Sequence, residues 1–184
     1  MIGTSWGGLE ALSSLLDGLH DDVHQPIVVA QHRGESTDLA LERLLQHHTR
    51  RVVLDPDDKT QLERDHVYIG PPDYHVLVEN GHLALSTDAA VQFARPSIDV
   101  LFESAADAYG ERAIGIVLTG ANADGAMGLA RIKDRGGVAI VQDPATSEKR
   151  AMPDAALAAT AADAVLALKE IPAFVYGLCC EVPG

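Results

Sequence analysis

The chain has 184 residues and carries 14 basic against 27 acidic side chains, a formal charge of −13. That balance repels nucleic acid and anionic lipid and leaves neutral, basic or locally complementary partners. Apolar residues make up 47% of the chain and are mostly aliphatic, enough to give one domain, residues 1–184, a core of helices packed on a parallel sheet. No stretch is apolar enough to span a bilayer and the amino terminus lacks a basic-then-apolar signal, so a cytoplasmic chain without membrane insertion is expected.

Residues 1–8, Met1-Ile2-Gly3-Thr4-Ser5-Trp6-Gly7-Gly8, read as the end of a strand, a tight turn holding a serine, and the start of an amphipathic helix with Leu9, Leu12, Leu15 and Leu16. The glycines around Ser5 fit G-x-S-x-G, a pattern suited to a sharp strand-to-helix turn. A helix start also offers free N–H groups to an oxyanion or a phosphate. The plainer alternative is that Ser5 is a helix N-cap. Residues 26–30 form a short apolar run expected as a buried strand, which ends at Gln31-His32-Arg33-Gly34. His32 therefore lies just past a strand's carboxyl end, as Ser5 does. Residues 37–48 have leucines at near-helical spacing, and residues 51–54 read as another strand.

The rhythm then changes. Residues 66–69 alternate, Pro71-Pro72-Asp73 turns the chain, and residues 75–79 alternate again into Asn80-Gly81, a strong hairpin signal closed by residues 82–85. This predicts two or three antiparallel strands at one edge of an otherwise parallel sheet. Arg95-Pro96-Ser97 opens a helix reaching about Tyr109, with Ser97 as cap and Asp99 in the first turn. Residues 113–119 are the clearest central strand and run into Gly120-Ala121-Asn122-Ala123-Asp124-Gly125. A helix stopping at Gly136-Gly137, a strand over 138–142, a helix over 153–160, a last strand over 164–168 and a terminal helix follow. The adjacent Cys179 and Cys180 are read as reduced thiols, since neighbouring cysteines rarely meet disulfide geometry. The fold class is α/β: a three-layer, doubly wound, mostly parallel sheet with an antiparallel β-hairpin at one edge.

In such sheets ligands bind beyond the carboxyl ends of the strands. Three loops there carry Ser5, His32 and Asp124, the types needed for a nucleophile, a general base and a carboxylate orienting that base. Each has a plainer role as well: His32 as a surface histidine, Asp124 as an N-cap or first-turn acid. The histidines show no H-E-x-x-H pattern and no cysteine partner, so no metal site is expected. A nucleotide cradle would need the full G-x-G-x-x-G spacing or a Walker lysine, and neither is present.

These loops carry a resemblance. Gly3-Thr4-Ser5-Trp6-Gly7-Gly8, Val29-Ala30-Gln31-His32, Tyr68-Ile69-Gly70-Pro71-Pro72-Asp73-Tyr74-His75, Arg95-Pro96-Ser97-Ile98-Asp99-Val100-Leu101-Phe102, Leu118-Thr119-Gly120-Ala121-Asn122-Ala123-Asp124-Gly125-Ala126 and Gln142-Asp143-Pro144-Ala145-Thr146, in that order, resemble the CheB methylesterase domain. The resemblance implies hydrolysis of glutamate γ-methyl esters on cytoplasmic helices of methylated chemoreceptors or a related protein substrate, in some members glutamine deamidation, and no cofactor. It places the nucleophile on Ser5, the base on His32 and the orienting acid on Asp124. Backbone N–H groups of Trp6 and Ala121 are the expected oxyanion donors. His75 and Arg95 lie in motif loops expected to contact substrate.

The pattern departs from the family in places. Trp6 stands where a small or hydroxyl residue is usual and Ala121 where methionine is common. The receiver domain that usually precedes this domain is not in the sequence, which leaves a stand-alone esterase, a piece of a longer protein, or control by a separate regulator. The alternative in a different class is a non-catalytic binding or regulatory module of a chemosensory pathway that keeps the esterase fold.

Overall fold

The computed structural model describes residues 1–32 and 41–180. Its strands are β1 (Ile2–Thr4), β2 (Ile27–Gln31), β3 (Val52–Leu54), β4 (His66–Ile69), β5 (His75–Glu79), β6 (His82–Ser86), β7 (Ile114–Val117), β8 (Val138–Gln142) and β9 (Ala164–Leu166). Seven of them form one sheet in the order β3-β4-β2-β1-β7-β8-β9, with every pair parallel. The helices are α1 (Gly8–Gly18), α2 (Leu41–Gln46), α3 (Ile98–Tyr109), α4 (Ala126–Asp134), α5 (Ala151–Ala159) and α6 (Ile171–Cys180).

Side chains along a strand point to alternate faces, so a strand covered on both sides must be apolar throughout. Ile2, Val29, Ile116 and Ile140 face one layer, where they meet Leu12, Leu15 and Leu16 of α1, Leu45 of α2 and Ile171 of α6. Val28, Ala30, Val117 and Val141 face the other, against Ile98, Leu101 and Phe102 of α3, Leu129 and Ile132 of α4, and Met152 of α5. This is the expected three-layer arrangement. Leu9, by contrast, points outward, 40% exposed. The expected helix over 37–48 is described as Leu41–Gln46, and its earlier part lies outside the described residues.

Two expectations for the middle of the chain need correcting. Residues 66–69 are not part of an antiparallel set: β4 lies between β2 and β3, parallel to both. The apparent alternation came from Tyr68, which is buried as fully as its neighbours because its hydroxyl donates to Gln61 O at 2.8 Å and accepts from Glu63 N at 2.8 Å. The hairpin β5–β6 exists, with Gly81 at φ 85° in its turn, yet it is a separate two-stranded sheet and not an edge of the large one. Its apolar face, Val76, Val78 and Leu83, joins the core on the α3 side.

The order of the large sheet sets the site. From β1 the chain passes to β2, on to the edge at β3 and back to β4 between them, then crosses to place β7, β8 and β9 on the other side of β1. The direction reverses between β1 and β7, so the crevice beyond their carboxyl ends is the topological switch point where α/β sheets bind ligands. Close packing of α3 onto β1 depends on Gly3, because a Cβ there would overlap the Ile98 side chain. We expect Gly3→Ala to lower unfolding stability by about 1–3 kcal/mol through this overlap, read as a lower urea midpoint at unchanged m-value.

Candidate active site

Ser5 leaves the end of β1 into a turn fixed from both sides. Its N–H donates to Thr119 O at 3.0 Å and its carbonyl accepts from Gly8 N at 2.9 Å. Thr119 adds a second tie, its hydroxyl donating to Trp6 O at 3.0 Å. The N-cap of α1 is Gly7, at φ 76° and with no side-chain cap, so the alternative reading of Ser5 as the cap fails. Gly7 adopts a left-handed conformation with Glu148 packed where a Cβ would be.

His32 comes from the neighbouring strand end. The parallel register pairs Thr4 with Gln31 and continues one step, His32 N donating to Thr4 O at 3.2 Å. The Gln31 amide then clamps the two loops, giving Nε2 hydrogen bonds to Ser5 O at 2.9 Å and His32 O at 3.0 Å. Ser5 and His32 are thus held side by side by backbone geometry.

Asp124 arrives from the β7–α4 loop, and its Oδ2 lies 2.8 Å from His32 Nε2. The carboxylate is fully buried and also accepts from Ile98 N at 2.7 Å, Asp99 N at 3.0 Å and Ser97 Oγ at 2.9 Å. It therefore caps α3 and not the helix that follows it, whose N-cap is Gly125. Burial pushes its pKa up, but the bonds from His32, the Asp99 and Ile98 amides and the Ser97 hydroxyl outweigh that and hold it below the ordinary value. Behind it lies Asp99, which accepts from Gly125 N at 2.9 Å and Gly128 N at 2.7 Å. Burial, with the neighbouring Asp124 charge adding to it, raises the Asp99 pKa despite those amide bonds.

With Nε2 committed to Asp124, Nδ1 is the imidazole nitrogen left for proton transfer. Asn122 Nδ2 sits 3.2 Å from it. The Asn122 carbonyl oxygen accepts from Asp124 N at 3.2 Å, which assigns the amide so that its NH₂ faces the histidine. Nδ1 is then an acceptor and Nε2 carries the proton, the tautomer a base acting through Nδ1 requires. The sequence reading missed Asn122, Gln31 and Thr119. Their position at strand ends beside the three candidate residues was the available signal.

Of the remaining expected residues, Trp6 stands beside Ser5 with its indole 60% exposed, its Nε1 donating to Glu148 Oε1 at 2.7 Å and Lys149 Nζ 5.7 Å above the ring. Ala121 is exposed in the β7–α4 loop, next to Asn122. His75 does not face substrate: it is 2% exposed, with Nδ1 accepting from Ser97 N at 3.2 Å and Nε2 bonded to Ala89 O at 3.1 Å. It braces the start of α3. Arg95 likewise pins a loop, donating to Thr87 O at 2.9 Å, Asp88 O at 3.0 Å and Asp73 Oδ1 at 3.1 Å. Among the described residues no cluster of three or more His, Cys, Asp or Glu side chains is placed to hold a metal ion, and no helix is long and apolar enough to cross a membrane.

Fold and site define a doubly wound α/β domain that gathers a serine, a histidine and a buried aspartate at its switch point. A profile of the CheB methylesterase family matches residues 1–175, and the chain belongs to that family. It is 42% identical over 93% of its length to a Leptospira interrogans protein named as a candidate protein-glutamate methylesterase/protein-glutamine glutaminase, covering 89% of that protein. It is 40% identical over 94% of its length to protein-glutamate methylesterase/protein-glutamine glutaminase 2 of Anaeromyxobacter dehalogenans, of which it spans 50%. The crystal structure of the Thermotoga maritima CheB methylesterase catalytic domain superposes with a TM-score of 0.91 at 30% identity, covering 96% of both chains.

The Asp124 hydrogen bonds fix a pH dependence. A carboxyl whose folded pKa is depressed contributes stability that is present above its unfolded value, about 3.9, and lost as pH falls through the lower folded value. Asp124→Asn should therefore remain closer in stability to wild type in acid than at neutral pH. Thermal unfolding at matched pH values measures this; an equal gap at both would contradict the ionised, bonded carboxylate.

Proposed function

We propose that the chain is a serine carboxylesterase that hydrolyses glutamate γ-methyl esters on chemoreceptor cytoplasmic helices or a related protein, and deamidates glutamines there by the same route. The relatives' names support the reaction. The observation that carries it is the 2.8 Å His32–Asp124 pair beside the Ser5 turn, because capping α3 accounts for the buried carboxylate but not for its bond to an imidazole nitrogen.

In this reading Ser5 Oγ attacks the ester carbonyl while His32 Nδ1 takes its proton, the Asn122 amide giving way to the serine hydroxyl as the acyl group enters. Asp124 stabilises the imidazolium through Nε2–H without taking the proton. The oxyanion is met by the backbone N–H groups of Trp6 and Ala121. Nδ1–H then protonates the leaving methoxide, methanol departs, and water attacks the glutamyl-serine ester with His32 again as base.

Ser5→Ala should cut methanol release from a methylated receptor fragment by at least about 10⁴-fold with an unchanged urea midpoint and no labelling by a serine-directed fluorophosphonate. A variant that keeps wild-type turnover would refute the nucleophile assignment. Asn122→Ala leaves Nδ1 without its resting partner, and kcat should fall between about 10- and 100-fold with KM little changed. Steady-state kinetics on the same substrate separates the two parameters.

A further inference from the structure

Trp6, Phe93 and Met127 are the most exposed large hydrophobic side chains among the described residues, at 60%, 105% and 61%. Each is joined to the site by the chain or by hydrogen bonds. Trp6 follows Ser5, Met127 lies in the first turn of α4 just past Asp124, and Phe93 tips the turn that precedes α3. Apolar surface gathered round a site in this way marks contact with another macromolecule.

The Phe93 turn is the most telling of the three. Val91 and Ala94 bond each other in both directions, N to O at 3.1 and 2.9 Å, leaving Gln92 and Phe93 as the two central residues with φ 48° and 64°. Positive φ at both positions suits Asn-Gly, and a phenylalanine there is a conformational outlier. A turn that merely reversed the chain would be better made by the smaller pair. The strain is held by Gln92 Nε2 donating to Asp99 Oδ2 at 2.7 Å. Asp99 in turn gives its backbone N–H to the Asp124 carboxylate. The turn is therefore tied, through one residue, to the acid that orients His32, and it presents an aromatic ring to solvent at a fixed place relative to the site.

We propose that Phe93 determines substrate specificity by seating an apolar side chain of the protein segment that carries the esterified glutamate, with Trp6 and Met127 completing the rim. This rests on the methylesterase reading. The occupant follows from continuity: a chain whose ester carbonyl reaches Ser5 passes beside Trp6 on one side and the Asp124 loop on the other. The ring can reward only apolar or aromatic contact, so the segment it selects has such residues near the ester.

Three esters test this. They are a helical peptide with a central glutamyl γ-methyl ester and leucines three and four residues to either side, the same peptide with serines there, and a doubly blocked glutamate γ-methyl ester with no flanks. Wild type should favour the leucine peptide over the serine peptide by on the order of tenfold in kcat/KM, mainly through KM. Phe93→Ala should lose most of that preference while turning over the blocked ester within about threefold of wild type. Phe93→Gly should lose the preference too and unfold at a higher temperature, because it relieves the turn while keeping the Gln92–Asp99 bond. Wild type indifferent to the flanks, or Phe93→Ala with the preference intact, overturns the proposal; an equal fall on all three esters overturns it as well, placing Phe93 in the chemistry. Wild-type inactivity on every ester would instead overturn the methylesterase reading.

Discussion

Two buried carboxylates cross-cap two helices, and the site depends on that exchange. Asp124, from the loop before α4, accepts the first amides of α3 at Ile98 and Asp99. Asp99, from the first turn of α3, accepts the first amides of α4 at Gly125 and Gly128. Each helix start would otherwise leave N–H groups unpaired in the interior, and each carboxylate would be a buried charge without compensation. Together they satisfy one another. The like charges still repel, and the balance falls differently on the two: Asp124, with His32 and Ser97 as additional donors, stays below the ordinary carboxyl pKa, whereas Asp99 is pushed above it.

That exchange explains how a loop residue comes to be held firmly beside His32. Asp124 is placed by α3 and α4, and those helices are placed by glycines that let them approach closely. A Cβ on Gly125 would meet Ile98, and one on Gly128 would lie 2.6 Å from Phe102 Cβ and 2.9 Å from Asp99 O. Ser5 and His32 follow adjacent parallel strands, which already set their backbones next to each other. The sheet fixes two members of the constellation and the helix pair delivers the third from across the switch point.

Much of this could be read from the sequence. Runs such as residues 26–30 and 113–119 are apolar without alternation, which predicts strands covered on both faces, and a reactive residue directly after such a run must lie at the carboxyl edge. That places Ser5, His32 and, in the loop after residue 119, Asp124 at one edge of the sheet, but not within reach of one another. Asp99 was legible only in part. An acid in a first turn is expected to favour its own helix dipole, while here it serves the neighbouring helix, a contact that depends on how α3 and α4 pack. His75 was misread for a related reason. Its place in a motif loop suggested contact with substrate, but a motif does not say what covers a residue; once the hairpin packs on the α3 side of the core as a separate sheet, His75 is enclosed and bonds Ser97 N and Ala89 O. Asn122 left no periodic trace, since its contact joins residues 90 positions apart.

The number of donors on Asp124 bears on the chemistry itself. In the proposed reaction, a carboxylate with a single histidine partner could compete for the proton that imidazole would collect from serine. With two backbone amides and the Ser97 hydroxyl also engaged, its charge is already stabilised, and protonating it would require breaking or reversing those bonds. In the proposed reaction the proton collected at Nδ1 would therefore stay on the imidazole, poised for the leaving group. The same carboxylate gives the fold its helix cap and gives the histidine a fixed negative partner. Loss of the capping amides would free Asp124 to move away from His32, so the orientation of that histidine is set by how well α3 begins.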